Sequence, residues 1–263
     1  MSSQSGNPAL QPIDMLIHEM GSHPALFLDY DGTLAAIQDR PEQARLDDRV
    51  RRTLQQLVQR FPVAIVSGRE RTDVEDLVGL PELIYAGSHG LDIAGPGVRW
   101  DAPDAGHLLP TLERAHEWLI NQTASLDGIV VERKRYAVAL HYRLADAQAV
   151  RAAQEVVERA AAELNGLLLA GGKKVWELRP DIDWDKGRAI EWLCGQLRRS
   201  EPDAYRPVFI GDDETDEDGF RAVAGLGGVG ILVAAGQRSS AARFRLPGVA
   251  AVADVLSALA RRT

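Results

Sequence analysis

The sequence lacks three features that would each indicate a particular class of protein. Its 263 residues include one cysteine, Cys194, which excludes an internal disulfide and a cysteine-rich metal site. It has no run of about 18 apolar residues, which excludes an ordinary transmembrane helix. Basic residues are in deficit, since 30 Lys and Arg stand against 38 Asp and Glu. The net charge of -8 disfavours nucleic acid and anionic membranes as partners, because both would repel it.

The N-terminal region also lacks the signals of export. The first 25 residues contain no Lys or Arg and no apolar run long enough for a signal peptide, so we expect a cytoplasmic protein. The chain opens with a polar segment that contains glycine and proline, and we predict a flexible N-terminus over residues 1–21.

Short apolar runs alternate with amphipathic segments, and this alternation predicts an α/β fold. Continuous apolar strands are typical of a parallel sheet that helices cover on both faces. The predicted strands are 25–28, 63–66, 83–86, 208–210 and 229–233. The predicted helices of this part are 46–61, 72–80 (ended by Pro81), 186–199, 218–224 and 253–261. We assign residues 22–105 and 183–263 to this parallel-sheet core.

Residues 106–182 have a different pattern, in which predicted strands and hairpins surround a helix. That helix is predicted over 146–164, with Asp146 as its N-cap. Gly171 and Gly172 lie between two strand-like runs and predict a two-residue hairpin turn. The pattern indicates a small α+β domain inserted into the core.

Two carboxylates, Asp29 and Asp31, directly follow the first predicted strand. One interpretation of the segment Asp-Tyr-Asp-Gly-Thr is a simple Asp-Gly turn. In the other, Asp29 attacks phosphorus while Asp31 donates a proton to the leaving oxygen and then activates water. The position suits a site, because ligands of open α/β sheets bind beyond the carboxyl ends of the strands.

Two further motifs follow strands or open helices. Ser67, Gly68 and Arg69 come after the second strand, where a hydroxyl and free N–H groups suit a phosphate oxygen; a turn with an N-cap is the alternative. Lys186 opens a later helix and could neutralise an anionic transition state, although an isolated lysine is usually solvated.

An acidic segment, 212–218, follows the strand at 208–210. Six of its seven residues are Asp or Glu, and their mutual repulsion would be relieved by Mg²⁺, which prefers oxygen ligands. A solvated acidic helix start is the alternative interpretation. Without these six residues, Asp29 and Asp31, the acidic residues would equal the 30 basic ones. The net charge therefore indicates a cation site more than a macromolecular partner.

In their order and position, these motifs resemble those of haloacid-dehalogenase-type phosphatases. The resemblance implies a Rossmann-like parallel-sheet hydrolase core with an inserted α+β cap domain. It also implies that Asp29 is the nucleophile, that Asp31 is the general acid/base, and that Ser67 and Lys186 hold the phosphate. The residues that it implies for Mg²⁺ are Asp29, the main-chain carbonyl of Asp31, and Asp212, with Asp216 in support.

Further segments resemble the trehalose-6-phosphate phosphatases in particular: Glu132-Arg133-Lys134, Leu140 to Arg143, Lys174 to Pro180 and Gly87-Ser88-His89-Gly90. The resemblance implies that Glu132, Lys134 and Glu177 contact the sugar. His89 could face the substrate, beside the candidate phosphate contacts Ser67, Gly68 and Arg69, or simply form a hydrogen bond within its own turn. The alternative for the first three is a salt-bridged strand surface. We expect Trp176 to be a core residue, and His141 is as well explained by a structural role.

We expect the protein to bind a small sugar phosphate as its substrate and to bind neither nucleic acid nor a membrane. We also expect it to be a monomer. A related sugar phosphatase or phosphohexomutase would share the same motifs. A non-catalytic sugar-phosphate sensor is the alternative of a different class, but such a protein would be expected to lose a catalytic carboxylate.

Overall fold

The computed structural model describes residues 9–38, 43–172, 174–200 and 205–262. It divides into two compact units, which we call the core unit (residues 1–100 and 184–263) and the inserted unit (Asp101–Asp183). The sequence places the insertion at 106–182, a few residues inside these limits.

Strands and helices alternate along the described chain. The strands are β1 (Ala9–Leu10), β2 (Pro24–Leu28), β3 (Val63–Val66), β4 (Ile84–Gly87), β5 (Asp92–Gly95), β6 (Val98–Asp101), β7 (Val130–Lys134), β8 (Ala137–His141), β9 (Leu167–Gly172), β10 (Val175–Pro180), β11 (Arg206–Gly211), β12 (Val229–Val233) and β13 (Phe244–Leu246). The helices are α1 (Ile13–Met20), α2 (Asp48–Val58), α3 (Arg71–Val78), α4 (Pro103–Gly106), α5 (Leu109–Thr123), α6 (Ala147–Glu163), α7 (Lys186–Ser200), α8 (Glu217–Gly225) and α9 (Val249–Arg261).

The core unit is built on a nine-stranded sheet with the order β1-β13-β12-β11-β2-β3-β4-β5-β6. In this order, the first seven strands, which begin with β1 and end with β4, are each parallel to their neighbours. The next strand, β5, is antiparallel to β4. The strand order reverses at β2, which lies between β3 and β11. Such a reversal opens a crevice at the carboxyl ends of the strands.

Helices cover both faces of this sheet, as the continuous apolar strands predicted. In β2, Leu26 and Leu28 belong to the apolar cluster that includes residues of α1, α2, α3 and α9, whereas Phe27 belongs to the cluster that includes α7 and α8. This alternation follows from the opposite directions of successive side chains along a strand. The α/β fold class is therefore confirmed.

The inserted unit contains a four-stranded antiparallel sheet with the order β7-β8-β10-β9. Apolar side chains of α5 and α6 pack on one face of it, against Val138, Leu140 and Leu178. Asp146 caps α6, since its carboxylate accepts hydrogen bonds from the main-chain N–H groups of Gln148 and Ala149 at 2.8 Å. The N-cap prediction is thus confirmed.

Two local predictions are wrong. Gly171 and Gly172 do not form the hairpin turn but pair with β10 as the last residues of β9. The flexible N-terminus does not extend over residues 9–21, because β1 joins the sheet and α1 buries Leu16 and Met20 completely. Residues 1–8 lie outside the described residues.

Helix ends also differ from the apolar pattern. Leu46 and Phe61 are buried as the pattern requires, but they lie outside α2, which begins after its N-cap Asp47. α3 ends at Val78, where Gly79 adopts the left-handed conformation (φ 65°), and therefore stops before Pro81. The pattern reports burial, and a buried residue need not be helical.

No helix in the described part of the chain is long and apolar enough to cross a membrane.

The single thiol, Cys194, is buried on α7, and burial raises its pKa to about 12. A thiol with so high a pKa is a poor nucleophile and a poor metal ligand.

The burial of α1 predicts that neighbouring apolar residues on this helix contribute very differently to stability. We expect Leu16→Ala to lower the free energy of unfolding by about 2–5 kcal/mol, because Leu16 is fully buried. Met15→Ala is the matched control; its side chain is 53% exposed, and its effect should stay within about 0.5 kcal/mol. Urea unfolding checks both, and equal effects would show that α1 is not part of the core.

Candidate active site

The predicted motifs of the core unit meet at the carboxyl ends of three adjacent parallel strands. Asp29 follows β2, Ser67 follows β3, and Asp212 follows β11. Because these strands are hydrogen-bonded neighbours, their ends lie at the same edge of the sheet. Distant parts of the sequence are thereby brought into one crevice, where open α/β sheets bind ligands.

Lys186 joins two of the carboxylates inside this site. Its ammonium donates hydrogen bonds to Asp29 Oδ1 at 2.8 Å and to Asp216 Oδ1 at 2.7 Å. All three side chains are almost completely buried. The alternative of a solvated lysine is therefore wrong.

Asp216 also organises the start of the acidic segment. Its second oxygen, Oδ2, accepts hydrogen bonds from the main-chain N–H groups of Asp212 and Asp213 at 2.8 and 2.9 Å. A short 3₁₀ helix, Glu214–Asp216, closes this turn with a capping box between Asp213 and Asp216. Asp216 therefore holds the turn in place, and each of its oxygens keeps a second lone pair for a further partner.

The electrostatics of the site show an excess of negative charge. Burial raises the pKa of Asp29 well above its ordinary value; Lys186 opposes this, and Asp216 and Asp212 add to it. Burial lowers the pKa of Lys186, but the charges of Asp216 and Asp29 and the hydrogen bonds to both carboxylates together outweigh burial and raise the pKa overall. A single ammonium therefore does not neutralise the three carboxylates around it.

The same carboxylates suit a divalent cation. One ligand oxygen from each of Asp29, Asp212 and Asp216 can be chosen so that all lie within 4.8 Å of one another. Hard cations such as Mg²⁺ bind oxygen ligands of this type. A cation there would also relieve the repulsion that raises the pKa of Asp29, so the donor set and the charge both fit a metal ion.

Asp31 has a partner that the sequence did not reveal. Both of its oxygens accept hydrogen bonds from Arg69, at 2.6 Å from Nε and 2.7 Å from Nη2. The guanidinium also lies over the ring of Tyr30, with its carbon 5.5 Å from the ring centroid. The predicted proton donor and a predicted phosphate contact thus form one bidentate ion pair in this conformation.

The Ser67 loop packs against the loop that contains His89. The N–H of His89 donates to the carbonyl of Ser67 at 2.9 Å, and the N–H of Ser88 donates to that of Arg69 at 2.6 Å. The two loops are in close contact, because a Cβ at Gly68 would lie 2.9 Å from His89 Cε1 and would displace the imidazole. Ser67 is not the N-cap of α3, which begins later, at Arg71, but its Oγ accepts a hydrogen bond from the N–H of Arg69 at 3.1 Å, so the turn of that alternative is present.

The predicted sugar contacts of the inserted unit lie on one face of its sheet. Glu132, Ala139 and Glu177 occupy one row of the strand register, on the face opposite to the one that α5 and α6 cover. Lys134 donates to Glu177 at 2.7 Å, and a nitrogen of His141 lies 2.8 Å from an oxygen of Glu132. These contacts are those of the salt-bridged strand surface that the sequence left as the alternative. They do not exclude a ligand on that surface, since charged pairs also bind hydroxyl groups.

Trp176 lies on the other face of that sheet. It shares a register row with Leu140 and Val131, packs against the apolar cluster of the inserted unit and contacts Tyr142, with ring centroids 4.1 Å apart. The prediction of a core residue is confirmed in part, because Trp176 packs against the core but is only partly buried.

Comparisons with known proteins agree with this architecture. A family model described as trehalose-phosphatase matches residues 27–250. The trehalose-phosphate phosphatase of Mycobacterium avium is 44% identical over 246 residues, which cover 91% of this chain and 63% of that protein. The chain therefore spans less than two thirds of the length of this relative.

Solved structures show the same fold. The C-terminal domain of the C. albicans trehalose-6-phosphate phosphatase matches with a TM-score of 0.81 and 24% identity, over 99% of this chain and 100% of that one. A haloacid dehalogenase-like hydrolase from Bacteroides thetaiotaomicron matches with a TM-score of 0.64 and 15% identity, over 90% of this chain and 100% of that one. The predicted haloacid-dehalogenase-like fold is confirmed.

The close approach of Gly32 to Asp212 gives a test of the cation site. A Cβ at Gly32 would overlap the Asp212 carboxylate, whereas a Cβ at Gly97 would meet nothing within 4 Å. Both glycines have positive φ, 86° and 70°, so alanine at either should cost about 1–2 kcal/mol of stability. We expect only Gly32→Ala to abolish the rise in Tm that Mg²⁺ causes. An equal rise in both variants would contradict the assignment of Asp212.

Proposed function

Because the chain belongs to the trehalose-phosphatase family, we propose that it hydrolyses trehalose 6-phosphate to trehalose and inorganic phosphate. The observation that carries the proposal is the buried chain of hydrogen bonds from Asp29 through Lys186 to Asp216, at the edge of the sheet where ligands bind. It supplies a carboxylate beside a fixed cation, which is what attack on a phosphate monoester requires.

In the first step, we propose that an oxygen of Asp29 attacks the phosphorus atom. A bond from phosphorus to the carboxylate forms as the bond from phosphorus to the sugar oxygen breaks, which leaves an aspartyl phosphate. Lys186 keeps the attacking carboxylate in place and offsets the charge on the phosphoryl oxygens. Ser67 and Arg69 are the proposed contacts to those oxygens, with the backbone at Gly68.

Asp31 is the proposed proton donor to the departing sugar oxygen. In the described conformation both of its oxygens are paired with Arg69, so it can carry a proton only after this pair opens. A phosphate dianion competes for the same guanidinium, since Arg binds carboxylate and phosphate in similar bidentate fashion. Substrate binding would therefore release Asp31 for proton transfer.

In the second step, Asp31 accepts a proton from water, and the oxygen of that water attacks the phosphorus of the aspartyl phosphate. Asp29 leaves as a carboxylate and inorganic phosphate is released. The residues proposed to hold Mg²⁺ are Asp29, the main-chain carbonyl of Asp31, and Asp212, with Asp216 in support. A bound divalent cation supplies charge stabilisation to the transferring phosphoryl group.

We propose that the inserted unit is the cap and recognises the sugar. Glu132, Lys134 and Glu177 present carboxylates and an ammonium on one sheet face, and these groups can donate to and accept from sugar hydroxyls. His89, on the core unit, is the proposed substrate contact beside the Ser67 loop. The cytoplasmic location and the monomeric state remain predictions.

Phosphate release from a panel of sugar phosphates tests the proposed substrate. We expect the highest kcat/KM with trehalose 6-phosphate, well above glucose 6-phosphate and mannose 6-phosphate. Asp29→Asn should lower kcat by a factor of about 10³ or more without loss of folded structure, because it removes the nucleophile. Asp218→Asn is the matched control, since Asp218 lies further along the acidic segment on α8 and pairs with Arg221.

Full activity of Asp29→Asn would contradict the role of nucleophile. A preference for another sugar phosphate would indicate a related phosphatase, and isomerised phosphate without net release would indicate a phosphohexomutase. Binding of trehalose 6-phosphate with no turnover would indicate a sensor.

Removal of divalent cations tests the proposed Mg²⁺ dependence. Dialysis against EDTA should lower phosphate release to a few per cent or less, because no divalent cation then offsets the charge of the three clustered carboxylates when the substrate phosphate binds. Addition of excess Mg²⁺ should restore the rate, while an equal concentration of Na⁺ should not. Turnover that is unchanged in EDTA would refute the metal site.

A further inference from the structure

The first turn of the acidic segment is held from two sides. On one side, the N–H groups of Asp212 and Asp213 donate to Asp216, which in turn accepts from Lys186. On the other side, the carbonyl oxygens of the same two residues accept hydrogen bonds from Arg238 Nη2, at 3.0 and 3.1 Å. The peptide groups of the turn are thus fixed through their donors and through their acceptors.

Arg238 reaches this turn from the segment between β12 and β13, which is anchored to the acidic segment at a second point. The main-chain N–H of Ala241 donates to Glu217 Oε2 at 2.7 Å, and Arg238 Nη2 lies 3.7 Å from Glu217 Oε1. The Arg238 side chain is 31% exposed and that of Glu217 17% exposed. The Arg238 side chain is therefore partly shielded from solvent, and its contacts fix the direction from which it reaches the turn.

The chemistry of the contact suits the positioning of a ligand. A guanidinium Nη2 carries two hydrogens, so one nitrogen can serve two adjacent carbonyl groups. The direction of the Asp212 carboxylate depends on the main-chain conformation of Asp212. Partners that orient a metal ligand in this indirect way affect metal affinity strongly, commonly by about 10–100-fold when removed.

We propose that Arg238 is a positioning residue for the divalent cation site, which acts by holding the Asp212–Asp213 turn so that the Asp212 carboxylate points into the site. Its positive charge also offsets part of the repulsion within the acidic segment. The inference rests on the cation site of the proposed function, but it can be tested without substrate.

Arg262 provides a matched control in the same chain. Its Nη1 also donates to two main-chain carbonyls, those of Ile17 and Gly21, at 3.2 and 2.8 Å. These carbonyls lie at the end of α1, in a different segment from the acidic turn. Arg262→Met therefore removes the same kind of contact as Arg238→Met without touching the proposed metal ligands.

The test is a titration of the metal-free full chain with Mn²⁺, followed by the EPR signal of the free ion. Mn²⁺ prefers the same octahedral oxygen coordination as Mg²⁺ and is a suitable probe. We expect Arg238→Met to raise the Kd for Mn²⁺ by about tenfold or more. Arg262→Met should leave this Kd within about twofold of the wild-type value. Arg238→Lys, which keeps the charge and a nitrogen with several hydrogens, should recover part of the loss.

An unchanged Kd in Arg238→Met would overturn the inference. An equal rise of the Kd in Arg262→Met would also overturn it, because the effect would then come from a general loss of rigidity in the protein. If Arg238→Met does not fold, the shorter and neutral Arg238→Gln is judged by the same two outcomes. A wild type that does not bind Mn²⁺ also overturns it. A wild type that binds Mn²⁺ but releases no phosphate from trehalose 6-phosphate refutes the proposed function alone, and the Kd values still decide the role of Arg238.

Discussion

The ammonium of Lys186, held between Asp29 and Asp216, is the interaction on which the rest of the site depends. It places a charge in the interior, and loss of one member of such a buried pair leaves an uncompensated charge at a cost of about 3–5 kcal/mol. In the intact site, Lys186 donates hydrogen bonds to both carboxylates, and Asp216 also accepts hydrogen bonds from the main-chain N–H groups of Asp212 and Asp213. The arrangement is therefore rigid before any ligand binds, as electrostatic catalysis requires.

The acidic segment illustrates how a chain can carry an unfavourable cluster of charge. Main-chain N–H donors and two guanidinium groups, those of Arg238 and Arg221, offset part of the repulsion between these acidic side chains. Burial raises the pKa of Asp29, and the charges of Asp216 and Asp212 add to the rise, so the carboxylates of the site still repel one another. A site that stays electrostatically incomplete is suited to a divalent cation, and the fold keeps this deficit where an anionic substrate would bind.

The candidate site was largely predictable from the sequence, because each motif follows a strand and parallel neighbours end at one edge of a sheet. The pairing of Asp31 with Arg69 was not, since the two residues are 38 positions apart and no local spacing relates them. The contact of Arg238 with the acidic segment was not predictable for the same reason. In the inserted unit, the size of its aromatic side chain predicted that Trp176 packs against the core, and it does so while partly buried. The turn at Gly171 was misplaced because glycine is also tolerated within a strand.

The sequence by itself determined the α/β class, the order of the motifs and the types of chemical group that each motif supplies. These properties follow from short-range periodicity and from the chemistry of single side chains. Only the tertiary structure decided which groups meet: that Lys186 is buried between two carboxylates, that Asp31 is paired with Arg69, and that α1 belongs to the core. The physical reason is that burial and pairing depend on contacts between segments far apart in the chain, and these form only when the sheet brings the strand ends together.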